Sequence, residues 1–263
     1  MKSVKRSMFA GVAGVVVLGL ASQSLAQHAG DLLLSIAGGK MQVNQYVFTE
    51  QFGGTAAAGY GTSDPGFNSI ASQPLLANTS LNFTIVAPTQ TNRRLSYWSG
   101  TGPVSFIAPP SDEAILLNRS IGPGLRYDAV ADNSVGDIFG WQRVVNTSIS
   151  TTTPTSGLGG SLDVTSSSGV LHRHIGFALR GNDKLLYDYA PVPSDGIYLL
   201  ALSLSQPTLT PSDPVYFLFG RGVSDAALTS AAQFVQTTYV PEPASFAAIG
   251  LGMMALLKRR RRA

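Results

Sequence analysis

Hydrophobic and polar side chains alternate over short runs along most of the chain, and residues typical of turns separate these runs. A period of two is typical of a β-strand with one buried face. Because Gly- and Pro-rich turns separate so many short strands, we predict an all-β body with a sandwich or jelly-roll arrangement. The predicted strands are Asp31–Ile36, Met41–Phe48, Leu81–Val86, Leu95–Trp98, Val104–Ile107, Ala114–Leu117, Trp141–Thr151, Ser161–Thr165, Val170–Leu179, Ile197–Ser205 and Val215–Phe219.

One late segment has a helical period instead. Between Ser224 and Thr237, small and apolar residues recur at the spacing of one helix face. Ser224 is a favourable N-cap, and Asp225 places a negative charge in the first turn. We therefore predict a helix over residues 224–238 that packs on the body. The residues of its buried face are Leu228, Ala231, Ala232 and Val235.

The first residues have the pattern of a secretory signal peptide. A basic start is followed by the uncharged apolar run Met8–Leu20, and small residues at positions 24 and 26 predict cleavage between Ala26 and Gln27. The apolar run is shorter than the roughly 20 residues that a spanning helix needs. Residues 1–26 are thus predicted to direct export and then to be removed.

The last residues form a second targeting pattern. Pro241, Glu242 and Pro243 precede the apolar run Ala244–Leu257, and basic residues end the chain. The run amounts to about 21 Å of helix, which is shorter than a bilayer core of about 30 Å. Basic side chains that extend to the cytoplasmic headgroups can compensate for the difference. These basic residues are Lys258, Arg259, Arg260, Arg261 and Arg262.

This three-part end resembles the PEP-CTERM sorting signal. The resemblance covers residues 239–263 and implies that a membrane transpeptidase, exosortase, is the processing partner. It implies cleavage near the PEP motif and transfer of the body to the cell envelope or beyond. Two prolines around Glu242 favour an extended segment at the membrane face, which a peptidase groove can bind. The resemblance implies nothing about what the body of the protein does.

Between the two targeting ends lies the body, residues 27–223. From Gln27 to Tyr239 the chain has ten basic and fourteen acidic residues, so the basic character of the whole chain comes from its ends. An acidic body without a basic stripe argues against nucleic acid as a partner. The chain has no cysteine, which excludes disulfides and thiolate metal sites.

One segment of the body carries candidate chemistry. His172 and His174 lie two residues apart in a predicted strand, so their side chains share one face. Such a pair can supply two imidazoles to a zinc or copper ion. The third ligand would be His28 or a carboxylate such as Asp188 or Asp195. Two solvated surface histidines remain the alternative.

A second resemblance concerns the same region. HRHIGFAL, DGIYLLALSL and SDPVYFLF, in that order, are similar to the C-terminal half of certain PEP-CTERM envelope proteins. They also resemble, more loosely, bacterial surface-anchored modules with an H-x-H-x-x-aromatic motif, some of which are associated with zinc. This resemblance implies zinc as a candidate cofactor. The chain lacks the His-rich loops of some of those modules.

Two other ligand classes have weaker support. An oxygen-rich stretch could hold calcium, although its spacing matches no loop motif and a solvated turn is the simpler interpretation. Its residues are Asp128, Asp132, Asn133 and Asp137. The aromatic residues Tyr97, Trp98 and Trp141 could stack on sugars if they were exposed, or they could belong to the core.

No enzyme motif occurs in the chain, and the carboxylate pair Asp112–Glu113 is expected in a turn. The sequence thus predicts an exported, non-catalytic structural or binding module of the cell surface or its exopolysaccharide matrix. A metal-binding module and a carbohydrate-binding module are the alternatives.

Overall fold

A computed structural model describes residues 31–55, 59–110, 113–122, 125–132, 141–145, 148–151, 159–181 and 192–240, with the backbone alone for positions 118–151. The predicted signal peptide and the predicted C-terminal membrane helix lie outside these residues. The described residues are mostly strands with one helix, which confirms the all-β expectation. In this part of the chain, no helix combines the length and the hydropathy needed to cross a membrane.

The strands form three sheets. Numbered along the chain, the strands are β1 Leu32–Ala37, β2 Lys40–Val43, β3 Val47–Gln51, β4 Gly53–Thr55, β5 Gly59–Thr62, β6 Gly66–Ser69, β7 Ser80–Val86, β8 Leu95–Trp98, β9 Ala114–Gly122, β10 Leu125–Asp132, β11 Trp141–Val145, β12 Ser148–Thr151, β13 Gly159–Val164, β14 Leu171–His174, β15 Gly176–Arg180, β16 Gly196–Ser205 and β17 Val215–Arg221. A four-stranded sheet has the order β14-β6-β1-β2, and a seven-stranded sheet has the order β12-β11-β10-β9-β15-β5-β4. A six-stranded sheet has the order β13-β7-β16-β17-β3, and β8 also pairs with β16.

The main core lies between the six-stranded sheet and strands of the other two sheets. Phe217 and Phe219 on β17 contact Phe177 on β15, with ring centroids 5.5 and 4.8 Å apart. Phe217 also packs against Phe67 of β6, 6.5 Å away. Large aromatic side chains bury much apolar area and favour such tilted contacts, so they join the layers.

The helix α1, Asp225–Thr238, covers the opposite face of the six-stranded sheet. The side chain of Ser224 caps its first turn by accepting a hydrogen bond from the Ala227 amide. The four residues predicted for the buried face are buried. The second core on this side explains why Gly196–Ser205 is buried on both faces over most of its length.

Several predicted elements differ in their bounds or were missed. Met41–Phe48 divides into β2 and β3, and Trp141–Thr151 divides into β11 and β12. Val104–Ile107 is not a strand; it contributes one isolated bridge, between Ile107 and Tyr97. No strand was predicted in the glycine-rich stretch around residues 53–66, but β4 and β5 lie there. Glycine allows neighbouring strands to approach closely. A Cβ at Gly61, for example, would lie 2.8 Å from the Phe177 carbonyl oxygen.

Candidate functional site

The two histidines lie at the edge of the four-stranded sheet. In β14, His172 pairs with Asn68 and His174 with Gly66 of the neighbouring antiparallel strand β6. Both imidazoles are exposed on one face, and Leu171 on the other face is buried. The shared face predicted for the pair is therefore what the structure shows, and the alternation of the sequence explains it.

The single predicted strand through this region changes sheets. Ile175 is buried and separates β14, which pairs with β6, from β15, which pairs with β5 and β9. Arg173, which the alternation placed on the apolar face, forms an ion pair with Asp163 of β13. An arginine on the apolar face of a strand must either extend to solvent or pair with an acid, and Arg173 does the latter.

A third candidate ligand converges with the histidines. Asp31 directly precedes β1, and its Oδ2 lies 2.9 Å from Nε2 of His172. Its Oδ1 lies 3.6 Å from Nε2 of His174, and the two Nε2 atoms are 3.2 Å apart. Sequence reasoning missed Asp31 and proposed other carboxylates, because strand pairing rather than spacing brings this residue to the pair.

Gly66 makes the convergence possible. Strand β6 lies between β1 and β14, so Asp31, just before β1, is separated from His174 on β14 by two strand spacings, about 10 Å. Their side chains meet above Gly66, where an added Cβ would contact Asp31 Oδ1 and would lie 2.7 Å from His174 Nε2. Any other residue at this position would occupy the space between the two ligands.

The second nitrogen of His174 faces a hydrogen-bond acceptor. Its Nδ1 lies 3.0 Å from the carbonyl oxygen of Ser63 and 3.5 Å from Oδ1 of Asp64. A carbonyl can only accept, so Nδ1 carries the hydrogen of this bond, and Nε2 is the ring nitrogen left to face Asp31 and His172. Metal-bound histidines are typically oriented by such a bond from the other ring nitrogen.

The contacts among the three side chains can be compared with those in a tetrahedral zinc site. Nitrogen and oxygen ligands at 2.0–2.2 Å from tetrahedral zinc are about 3.3–3.6 Å from one another. The two Nε2 atoms, 3.2 Å apart, come close to this range. The contacts of 2.9 and 3.6 Å involve different oxygens of Asp31, Oδ2 and Oδ1, so a single oxygen ligand requires a small rotation of that side chain. Three protein ligands leave at least one coordination position for water or an external group.

The other predicted ligands are not brought to this cluster. Asp195 pairs with Arg221, Nη1 to Oδ1 at 2.5 Å, so its prediction as the third ligand is wrong. His28 and Asp188 lie outside the described residues. Of the proposed calcium ligands, Asp128 and Asp132 belong to strand β10 rather than a turn, and the other two lie outside the described residues.

The structure also decides the burial of two groups of aromatic and acidic residues. Tyr97 and Trp98 are 8 and 6% exposed, so they belong to the core and do not offer stacking faces to a sugar. The side chain of Trp141 is outside the described part. The Glu113 amide bonds to the Pro110 carbonyl, as in a turn, but the residue is only 3% exposed.

Glu113 belongs to a buried polar network. Its Oε1 accepts a hydrogen bond from the Ser194 amide at 2.6 Å, and its Oε2 accepts one from the Tyr198 hydroxyl at 2.6 Å. Burial, reinforced by this bond, raises the pKa of Tyr198 well above its usual value. Nothing in the local sequence signals this network, since its members come from separate strands and loops.

The comparison with known proteins concerns the end of the chain. No curated protein and no solved structure matches the chain. Residues 240–262 match the model of the PEP-CTERM protein-sorting motif. The match includes Pro241–Pro243 and the basic residues 258–262, and it begins one residue after Tyr239, which is buried against α1 and β17. The chain therefore carries a PEP-CTERM protein-sorting motif, which implies export and processing by exosortase.

Proposed function

We propose that this exosortase-sorted protein is a non-catalytic cell-surface module whose β body binds a divalent transition metal, zinc or copper, through Asp31, His172 and His174. One observation carries the proposal: one ligand atom from each residue lies within 4.8 Å of the others. Imidazole and carboxylate ligands suit these metals. The association with an exopolysaccharide matrix stays a prediction.

Three further features support metal binding over two solvated histidines. Nε2 of His174 points at a carboxylate and another imidazole nitrogen, an arrangement that a cation stabilises. Its Nδ1 faces the Ser63 carbonyl, which fixes the ring. Gly66 removes the side chain that would separate the ligands.

The exposure of the site favours reversible binding of metal from outside the protein. The side chains of His172 and His174 are 58 and 41% exposed. Structural zinc sites usually have four protein ligands and are closed, whereas this cluster has three and is open to solvent. A role in holding or presenting metal at the cell surface follows more directly from this geometry than a role in folding.

Metal analysis of the purified mature protein tests the proposal. In equilibrium dialysis against a fixed concentration of free zinc or copper, the unmodified protein should bind about one ion per chain. The double variant His172→Ala/His174→Ala should bind none, and the control Asp195→Ala, at a carboxylate that pairs with Arg221 instead, should bind the same amount as the unmodified protein. Equal and negligible metal in all three proteins would refute metal binding.

Cell fractionation tests the location separately. The body should be found in the envelope or the medium of a host that has exosortase. Recovery of the folded body from the cytoplasm would contradict export while leaving the metal result unaffected.

A further inference from the structure

Asn68 lies beside the proposed metal ligands on the same face of the four-stranded sheet. It is the partner of His172 across the antiparallel pair of β14 and β6. Its neighbours in β6, Phe67 and Ser69, are buried on the opposite face, so the half-buried Asn68 side chain lies on the face of the histidines. Side chains directly opposite each other in such a pair have Cβ atoms about 4.5–5.5 Å apart.

The side chains around the cluster form two rows across the strands. In the first row, His174 and Asp31 lie on either side of Gly66, and their side chains meet above it. In the second row, His172 lies beside Asn68. An ion held by the two histidines and Asp31 would therefore have Asn68 as its neighbour along β6. In the described part of the chain, no further His, Cys, Asp or Glu belongs to the cluster.

The side-chain amide of Asn68 is available to a ligand. Among the residues that the structure describes, this amide has no hydrogen-bond partner. The amide of Asn44, just after β2, differs, because its Oδ1 accepts a hydrogen bond from the backbone of Leu33. The Nδ2 group of Asn68 can donate two hydrogen bonds. An unpartnered donor beside an open coordination position suits an oxygen-bearing group that binds the ion and the amide together.

The charge of the site indicates which kind of group this is. A dication bound by two neutral imidazoles and the Asp31 carboxylate keeps one net positive charge, which favours an anionic ligand. The Asp64 carboxylate lies near Nδ1 of His174, on the side of the ring away from the ion. A carboxylate has two oxygens, so one can bind the ion while the other accepts a hydrogen bond from Asn68.

We propose that the metal-loaded site binds an external carboxylate through the ion and Nδ2 of Asn68, which makes Asn68 a specificity-determining residue. The inference rests on the proposed metal binding. The exposure of both histidine side chains leaves the approach to the ion open. The carboxylate belongs to a small organic acid or to an acidic sugar, and the same two contacts recognise either.

Copper(II) makes the site visible, because its absorption and electron paramagnetic resonance spectra change when its ligands change. Copper also binds a given set of nitrogen and oxygen ligands more tightly than zinc does. Titration of the copper-loaded mature protein with acetate therefore gives the dissociation constant of the carboxylate. Asn68→Ala should raise this constant about ten-fold or more, as expected for a lost hydrogen bond to a charged group, and should leave copper affinity unchanged.

Gln42→Ala is the matched control. Gln42 is a half-buried amide on the same face of the sheet, but it lies on β2, two strands away from β6. Its loss should change neither the affinity for acetate nor the affinity for copper. Galacturonate in place of acetate distinguishes the two sources: tighter binding assigns the carboxylate to a sugar, and equal or weaker binding assigns it to a small acid.

The outcomes separate this inference from the metal proposal. Absence of copper binding would overturn both. A copper-loaded protein whose spectra do not respond to acetate would overturn the carboxylate site alone, as would equal acetate affinities of Asn68→Ala and Gln42→Ala. A loss of copper affinity in Asn68→Ala or His28→Ala would also overturn it, because a fourth protein ligand would then fill the open position.

Discussion

Oδ2 of Asp31 lies 2.9 Å from Nε2 of His172, although one residue precedes the first strand and the other lies in the fourteenth. The pairing order β14-β6-β1 brings them together, and Gly66 on the middle strand leaves the space that they share. The site is thus a product of strand order, and each of its parts can be tested separately.

Asp31→Asn should weaken zinc binding by more than the 10–100-fold that is typical of a change in an outer-shell partner. The substitution keeps the shape of the side chain but removes the negative charge that faces both imidazoles. Competition with a chromophoric chelator measures the affinity. Asp64→Asn is the matched control, because Asp64 lies 3.5 Å from the non-ligating Nδ1 of His174 and its loss should cost less. Equal affinities for both variants would contradict the assigned ligand.

Gly66→Ala should lower metal affinity because the new Cβ would lie 2.7 Å from His174 Nε2 and would contact Asp31. Gly53→Ala is the control, since a Cβ there meets only the Gly61 carbonyl oxygen at an ordinary 3.7 Å. Metal titration and thermal unfolding of both variants separate loss of binding from loss of folding. Unchanged affinity in a folded Gly66→Ala protein would show that the ligands do not need this space.

Tyr198→Phe should lower the free energy of unfolding by about 1–3 kcal/mol, because it leaves a buried oxygen of Glu113 without its donor. Urea denaturation measures the change. Tyr46→Phe is the control: its hydroxyl makes a long 3.4 Å bond to Gln42 in a half-buried position, and a loss below about 0.5 kcal/mol is expected. Equal losses of stability would mean that the buried hydrogen bond to Glu113 contributes no more than the long bond to Gln42.

Stability should fall as the pH rises above about 10. Burial raises the pKa of Tyr198 above the usual 10.0, and burial likewise raises the pKa of Tyr97, Tyr216 and Tyr239. Unfolded tyrosines therefore lose their protons first, so the stabilisation is complete below pH 10 and declines above it. Denaturation at a series of pH values measures this decline. The free energy of unfolding should decline less steeply with pH for Tyr198→Phe. An equally steep decline would contradict the contribution assigned to Tyr198.

Ser224→Ala should lower the free energy of unfolding by about 0.5–2 kcal/mol through loss of the helix cap. The Ser224 side chain accepts from the Ala227 amide, which otherwise has no partner in the first turn. Ser230→Ala is the control: its hydroxyl bonds back to the Ala226 carbonyl within the helix, and alanine is the better helix former there. A larger loss in the control would refute the capping role.

Local pattern predicted many of the elements well. Leu95–Trp98 is a strand over the predicted residues, and α1 buries the four residues that its period of 3.6 selects. Such patterns depend only on neighbours along the chain. Strands β4 and β5 in the glycine-rich stretch show no alternation of apolar and polar residues. Their position depends on close approach to other strands rather than on their own side chains.

The candidate site was predicted in part. The shared face of His172 and His174 follows from the period of a strand, and the structure shows it. The same reasoning could not identify Asp31, because the local sequence does not show which residues meet across two strand spacings. The buried position of Glu113 was unpredictable for the same reason.

The sequence by itself determined the destination of this protein, because a sorting peptidase reads a short linear segment, Pro241–Pro243 with its apolar run and basic end. It also determined the β character of the body through local alternation. Only the tertiary structure decided which carboxylate joins the two histidines and that Tyr239, next to the sorting motif, is buried against α1 and β17. Both depend on strand order and packing between distant segments, which no local pattern encodes.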